Sequence, residues 1–213
     1  VYIDDGSEIK AGDIAFKISG PVISILQAER LLLNFMQRMS GIATQTAEYA
    51  ELLQDLPTKV LDTRKTTPGL RHIEKLAVAA GGGSNHRMGL YDMVMLKDNH
   101  IDFAGGIEKA ILKVDEYLRK SGKSIPIEVE VRNFDELKQV LSIGKVHRIM
   151  LDNFTVEDTG KAVKMIDGKY EVESSGGITK ESLRAYAECG VDFISVGALT
   201  HHIKSLDLSL KAI

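Results

Sequence analysis

The chain has 213 residues, 44% of them hydrophobic, enough to bury the core of one sizeable domain and part of a second, which excludes a disordered protein. Charged residues make up 27% but nearly cancel, to a net charge of -3, so no global field draws the chain to nucleic acid or an anionic membrane, and any basic site must be local. No apolar run approaches the roughly 20 residues of a bilayer span, the opening VYIDDGSEIK lacks a signal-peptide pattern, and the lone Cys189 has no partner for an internal disulfide.

A soluble cytoplasmic protein is therefore the expectation. The opening DGSEIKAGDIAFKISG alternates apolar and turn residues as a short β meander does. With no initial methionine it reads as a domain already under way, over residues 1–24. Residues 25–54 place Leu32, Met36, Met39, Ala43, Ala50 and Leu53 at helical spacing, predicting a helical linker interrupted at Ser40-Gly41. Over residues 55–204 the pattern changes to short apolar runs: KVLDT, DMVMLKD, IEVEV, RIMLDN, YEVESSGG and FISVGAL. Each ends in polar or glycine residues and precedes an amphipathic helix, which argues for a parallel sheet with helical crossovers.

Helix starts are marked by Thr67-Pro68, Asn133 with Glu136, Thr155 with Asp158, and Thr179. Helix stops are marked by Gly144, Gly168 and Gly190, with Cys189 as inert packing beside the last. Ile127, Ile149, Glu171 and Phe193 recur 22 residues apart, as barrel units would. Six such units are too few for a closed eight-stranded barrel, so the fold class is α/β, an incomplete (β/α) barrel. The closing segment, residues 205–213, reads as a strand outside the repeat that returns to the N-terminal meander.

In such a fold the catalytic groups gather where the carboxyl ends of the strands converge. Those ends supply Arg64 and Lys65, Lys97 and Asp98, Glu130, Asp152, Ser175-Gly176-Gly177 and Gly197. Glu128 and Glu130 share a face by the two-residue period of a strand, so at least one should enter the barrel mouth. Arg64, Lys65, Arg71, His86, Arg87 and Lys97 form a local cationic set around Gly81-Gly82-Gly83. Guanidinium groups suit planar carboxylates and lysine suits phosphate, so the set fits a ligand with two anionic groups. Arg71 and Lys75 are read as covering a helix face. SSGG before the Thr179-capped helix and VGAL at the last strand end resemble a split phosphate cradle. Glu130 and Asp152, at equivalent points of successive repeats, suit Mg²⁺ directly or through water, ribose hydroxyls, or a cationic sugar, and their spacing does not choose among these.

The segments RMSGIATQT, LDTRKTTPGLR, GGGSNHRMGLYDMVMLKDNHI, EVEVRN, IMLDNF, ESSGGI and DFISVGALTH, in this order, resemble the quinolinate phosphoribosyltransferase family from about residue 20 onward. The resemblance implies phosphoribosyl transfer to quinolinate with decarboxylation, giving nicotinate mononucleotide, CO₂ and pyrophosphate in NAD synthesis. It implies Arg30, Arg64, His86, Arg87 and Lys97 as quinolinate ligands. For phosphoribosyl pyrophosphate it implies Lys65, Glu130, Asp152, Ser175, Gly176, Gly177, Gly197 and His201, with Lys65, Glu130 and Asp152 acting in catalysis. It further implies Mg²⁺ near Glu130 and Asp152, and a homodimer, or a higher oligomer, in which Arg30 crosses to the partner's site. Family members carry a longer N-terminal domain, so residues 1–24 are expected to be the remnant of an N-terminal α/β sandwich domain. The competing readings are a related transferase for nicotinate or another heteroaromatic acid, which would need fewer cations, and a non-catalytic barrel. A nucleic-acid binder is disfavoured because no basic stripe is interleaved with aromatics.

Overall fold

The computed structural model describes residues 1–213. Residues 1–20 contain no regular strand or helix, although the Tyr2 and Ile3 amides both donate to the Ala15 carbonyl, closing the segment on itself. The expected meander is thus present only as a loop. Helix α1 then runs unbroken over Val22–Glu51, without the predicted interruption at Ser40-Gly41. The glycine serves packing instead. A Cβ at position 41 would collide with the Lys204 carbonyl, because the C-terminal segment lies directly on the helix there.

Beyond α1 the chain alternates strands and helices: β1 Lys59–Leu61, α2 Arg71–Ala80, β2 Val94–Leu96, α3 Asp98–Ala104, α4 Ile107–Ser121, β3 Ile127–Val131 and α5 Phe134–Ile143. It continues with β4 Arg148–Asp152, α6 Val156–Ile166, β5 Glu171–Ser175, α7 Lys180–Ala187, β6 Phe193–Ser195 and α8 Ala198–His201. All six strands are parallel, in the order β1-β6-β5-β4-β3-β2. First strand pairs with last, as in a barrel, but β1 and β2 do not pair, so one seam stays open. Only a bridge from Leu61 to Ser84 extends the sheet at β1, where the Ser84 amide donates to the Val60 carbonyl and the Asp62 amide to that of Ser84. The incomplete barrel is confirmed, and its missing part lies at this seam.

The caps agree with the sequence where side chains act. Asn133 accepts from the Asp135 and Glu136 amides, Thr155 from Asp158, and Thr179 forms a capping box with Ser182. The first helix after β1 instead begins at Arg71, past Thr67-Pro68. Gly144 caps α5, but α6 ends on Asp167 and α7 on Glu188, ahead of Gly168 and Gly190. Strand residues Val129, Val131, Ile149, Leu151, Val172 and Ile194 are buried in one core with Leu137, Ile166 and Leu183 of the covering helices. Adjacent side chains alternate sides of a strand, so the opposite face is left for polar residues at the barrel's centre.

The predicted C-terminal strand is a correction. Residues 203–213 form no strand, and the segment runs along α1: the Leu206 amide donates to the Gln37 carbonyl, and the Gln37 side-chain amide donates to the Leu208 carbonyl. With no N-terminal strand to pair with, the alternating pattern satisfies its backbone on the helix. Gly41→Ala should therefore cost on the order of 1–3 kcal/mol and loosen this segment. Thermal unfolding together with hydrogen exchange at the Leu206 amide checks it; an unchanged melting temperature and undiminished protection would contradict the close approach.

Candidate active site

Two cavities open at the carboxyl ends of the strands, and they share Lys97. The larger, about 510 Å³, takes residues from beyond every strand: Lys65 after β1, Lys97 after β2, Glu130 from β3, Asp152 from β4, Ser175 to Gly177 after β5, and Gly197 with His201 after β6. The smaller, about 450 Å³, is lined by Arg64, Arg87, Lys97 and His100 against Leu90, Met93, Val94 and Met95, with no carboxylate among them. One cavity mixes acids, cations and glycine backbone; the other is an apolar slot walled by cations.

In the smaller cavity, Arg87 is held at both ends. Its guanidinium donates to the Met93 carbonyl at 3.2 Å, and its backbone amide donates to His86 Nδ1 at 2.7 Å. Burial and the neighbouring charge of Arg64 both lower the affinity of Arg87 for its proton. Like charges crowded around an acid-free cavity make an anion site, since a bound carboxylate relieves the repulsion. The loop from Met88 to Asp92 is shaped by the Asp92 carboxylate, which accepts the Met88 and Gly89 amides at 2.6 and 2.9 Å.

His86 does not line either cavity. It lies beneath them, only 8% exposed, with Nε2 at 2.9 Å from Glu128 and 3.4 Å from Glu173, though aligned for a hydrogen bond with neither. Arg148 completes the cluster at 3.2 Å from Glu173. The three acidic and imidazole groups are close enough to hold a metal ion. The Arg87 amide argues otherwise: it needs a lone pair on Nδ1, which leaves the proton on Nε2 and no lone pair there for a metal. Burial disfavours a charged imidazole while the two carboxylates draw a proton toward the cluster. Protonating Nδ1 would expel the Arg87 amide, so we assign the retained proton to the carboxylate side, where burial and repulsion from Glu173 push Glu128 up to about 7. His86 thus positions Arg87 from below.

In the larger cavity, Lys97 Nζ reaches Glu130 at 3.2 Å. Asp152 accepts from the Asn153 side chain at 2.7 Å. Strand register sets them apart: Glu130 pairs with Met150, so Asp152 stands two residues further along its strand and the two are not equivalent as the 22-residue spacing suggested. Gly176 has φ 103°, and a Cβ there would collide with Asn153, so this turn requires glycine. The α7 N-terminus opens on the same cavity through Ile178 and Thr179. Burial and the charges of His202 and Lys65 lower the proton affinity of His201, favouring its neutral form.

Of the residues expected from sequence, Arg64, Lys65, Arg87, Lys97, Glu130, Asp152, Ser175, Gly176, Gly177, Gly197 and His201 converge on the two cavities. Arg30 does not; it is exposed on α1 and lines neither. Lys75 and Arg71 are corrections. Lys75 is fully buried, paired with Asp62 and donating to the His86 carbonyl at 2.9 Å, while Arg71 bridges Thr66 and the Met88 carbonyl. Thr63, Asn153 and His100 were missed. The signal for His100 was present: it follows Lys97 by three residues and accepts the Lys97 amide, which puts both on one turn.

Residues 42–211 match the model of the quinolinate phosphoribosyl transferase C-terminal domain, and residues 1–40 match that of the N-terminal domain. A "Quinolinate phosphoribosyltransferase [decarboxylating] 2b, mitochondrial" from Nicotiana tabacum is 46% identical over 99% of this chain and 63% of its own length. A "Nicotinate-nucleotide pyrophosphorylase [carboxylating], chloroplastic" from Arabidopsis thaliana is 49% identical, over 97% of this chain and 63% of its own. The crystal structure of NadC from Streptococcus pyogenes superposes with a TM-score of 0.91 at 43% identity, over 99% of this chain and 72% of that one. This chain therefore spans less than two thirds of the length of those plant relatives.

The His86 cluster makes a pH prediction. With Glu128 protonated to about 7 and His86 neutral, the folded pair holds one proton; unfolded, with ordinary values of 4.5 and 6.5, the pair also holds one between those values, on the histidine. The cluster therefore adds little slope to stability between about pH 5 and about pH 6. In Glu128→Gln the folded cluster takes no proton while the unfolded histidine still does, so the variant's melting temperature should drop as pH falls from about 7 to about 5, where that of the wild type drops less. An identical slope in the variant would contradict the assignment.

Proposed function

The chain belongs to the quinolinate phosphoribosyl transferase family, and on that premise we propose that it transfers the phosphoribosyl group of phosphoribosyl pyrophosphate to quinolinate. Nicotinate mononucleotide, CO₂ and pyrophosphate are the products, as in NAD biosynthesis. The observation that carries this reading is the pair of cavities meeting at Lys97, one cationic and acid-free, the other mixed and glycine-lined. A planar dicarboxylate fits the first, and a ribose bearing phosphates fits the second.

In this reading Arg64 and Arg87, with Lys97 and His100 at the edge, hold the two carboxylates while Leu90 and Met93 cover the ring. Fixing the ring nitrogen against the ribose C1 replaces a bimolecular encounter by a positioned one. Lys65 neutralises the departing pyrophosphate. The α7 N-terminus and the turn at Gly176-Gly177 receive the ribose phosphate. As the C1–oxygen bond breaks and the nitrogen–C1 bond forms, Glu130 and Asp152 stabilise the positive charge developing on the sugar. The positive charge of the resulting pyridinium stabilises the electron pair left on the ring carbon when the carboxylate beside nitrogen departs as CO₂, and that carbon then takes a proton from water, so no residue need act as a covalent nucleophile.

Glu130 and Asp152 also present oxygen donors of the kind Mg²⁺ takes, and would hold it directly or through water beside Lys65. Bound there, the ion would add to the neutralisation of pyrophosphate. A homodimer with Arg30 reaching the partner's diacid cavity fits the exposure of Arg30, flanked on α1 by Leu26 and Leu31, each 63% exposed. No helix is long and apolar enough to cross a membrane. The relatives' names include mitochondrial and chloroplastic proteins, so a cytoplasmic setting is not common to the family. A transferase for a single-carboxylate acid is the second reading, and the acid-free cavity with two guanidinium groups weighs against it.

The test is turnover by the protein at its full natural length with quinolinate, phosphoribosyl pyrophosphate and Mg²⁺. Nicotinate mononucleotide and CO₂ should appear in equal amounts; equal use of nicotinate without CO₂ would instead support the second reading. Lys65→Ala should lower kcat by about 10²- to 10³-fold while the melting temperature stays put, and parallel loss of both would deny Lys65 its role. Inactive Arg30→Ala and Lys65→Ala proteins, randomly mixed, should regain roughly a quarter of wild-type activity if Arg30 serves the neighbouring subunit. Absence of any recovery would contradict the crossing.

A further inference from the structure

Between α1, α2 and the loop after β1 runs a set of charge-assisted hydrogen bonds whose side chains lie outside the walls of both cavities. Arg38 of α1 donates through Nε and Nη2 to Glu74 Oε1 of α2, at 2.9 and 2.6 Å. The same Nη2 reaches Thr67 Oγ1 at 2.7 Å and the Thr200 carbonyl at 3.3 Å. Glu74, fully buried, accepts the Thr67 amide on its other oxygen at 3.1 Å. Thr200, also fully buried, donates from its hydroxyl to the Lys65 carbonyl at 2.9 Å. The loop after β1 is thereby tied to α8, the element after β6. Lys65 and His201, which those two elements bring to the cavity, meet against Gly197, where a Cβ would lie 2.8 Å from His201 Nε2 and 3.4 Å from Lys65 Cδ.

We propose that Arg38 and Glu74 are positioning residues that set the separation of Lys65 from the Gly197–His201 turn, and so govern the binding of a pyrophosphate group without touching it. The assignment rests on the transferase reading for the identity of the ligand. Its bonds end on the loop after β1 at Thr67 and at the Lys65 carbonyl, and none of them ends on a residue that lines the smaller cavity. Guanidinium and buried carboxylate together fix direction as well as distance, which a single neutral contact does not.

The experiment uses the full-length protein and titrates inorganic pyrophosphate, with Mg²⁺ present, into wild type, Arg38→Met, Arg38→Lys and Thr67→Val; Thr67→Val is mild enough to fold if the others do not. KM for each substrate is measured alongside. We expect Arg38→Met to weaken pyrophosphate binding about tenfold, Thr67→Val to weaken it less, and Arg38→Lys to fall between Arg38→Met and wild type. KM for quinolinate should stay within about twofold of wild type. Unchanged pyrophosphate affinity in Arg38→Met and Thr67→Val, or equal rises in both KM values, would overturn the proposal, as would failure of the wild type to bind pyrophosphate. If the wild type binds pyrophosphate but does not convert quinolinate, the transferase reading fails and the clamp is still judged by the affinity series.

Discussion

The buried pair of Asp62 and Lys75 holds the seam of an open sheet, and the cationic cavity is built on that seam. β1 and β2 share no ladder, so the segment from Ser84 to Arg87 must cross the gap with little backbone pairing of its own. Asp62 accepts Lys75 and the His86 amide, and Lys75 donates also to the His86 carbonyl. Asn85, oriented with its amide as donor, reaches Asp62 at 2.6 Å and the Lys75 carbonyl at 2.9 Å. Both charges are removed from water, which is tolerable only because each donor and acceptor finds a partner; losing one would cost several kcal/mol. Arg87 follows one residue later, and His86 beneath it lies against Glu128 and Glu173 of the central strands. The direction of the Arg87 guanidinium is thus inherited from a network that reaches from β1 to β5.

Much of this was legible in the sequence because it depends on local patterns. The six strands, the side-chain caps at Asn133, Thr155 and Thr179, and the polar strand ends follow from periodicity and from what helix termini require. What escaped was set by contacts distant in sequence. Gly41 looked like a helix break because its neighbour Lys204 lies far along the chain. Lys75 looked like a solvated helix residue because Asp62, which buries it, precedes it by 13 positions on another element. The closing LDLSL pattern has a strand's alternation but meets a helix. His86 was expected among the quinolinate ligands, yet it lies outside both cavities, in a place that depends on Glu128 and Glu173, which no local spacing reveals.

The chemistry divides along the same lines as the structure. Of the cations that face the smaller cavity, Lys97 is paired with Glu130 while Arg64 and Arg87 meet no carboxylate at ion-pair distance, so in the proposed reading that half takes a dianion. Acids, Lys65 and glycine backbone share the larger, which in the proposed reading takes phosphates on a sugar whose reaction generates positive charge. Lys97 belongs to both and is paired with Glu130, which links the two cavities. Deeper still, the cluster of Glu128, Glu173, Arg148 and His86 supports the floor without contributing to either wall.

The most direct test of this two-cavity account is a crystal structure of the full-length protein with pyridine-2,3-dicarboxylate and pyrophosphate bound together. The account places the diacid between Arg64 and Arg87 with its ring against Leu90 and Met93, and pyrophosphate beside Lys65, on the far side of Lys97. Diacid in the larger cavity, or both molecules in one, would contradict it.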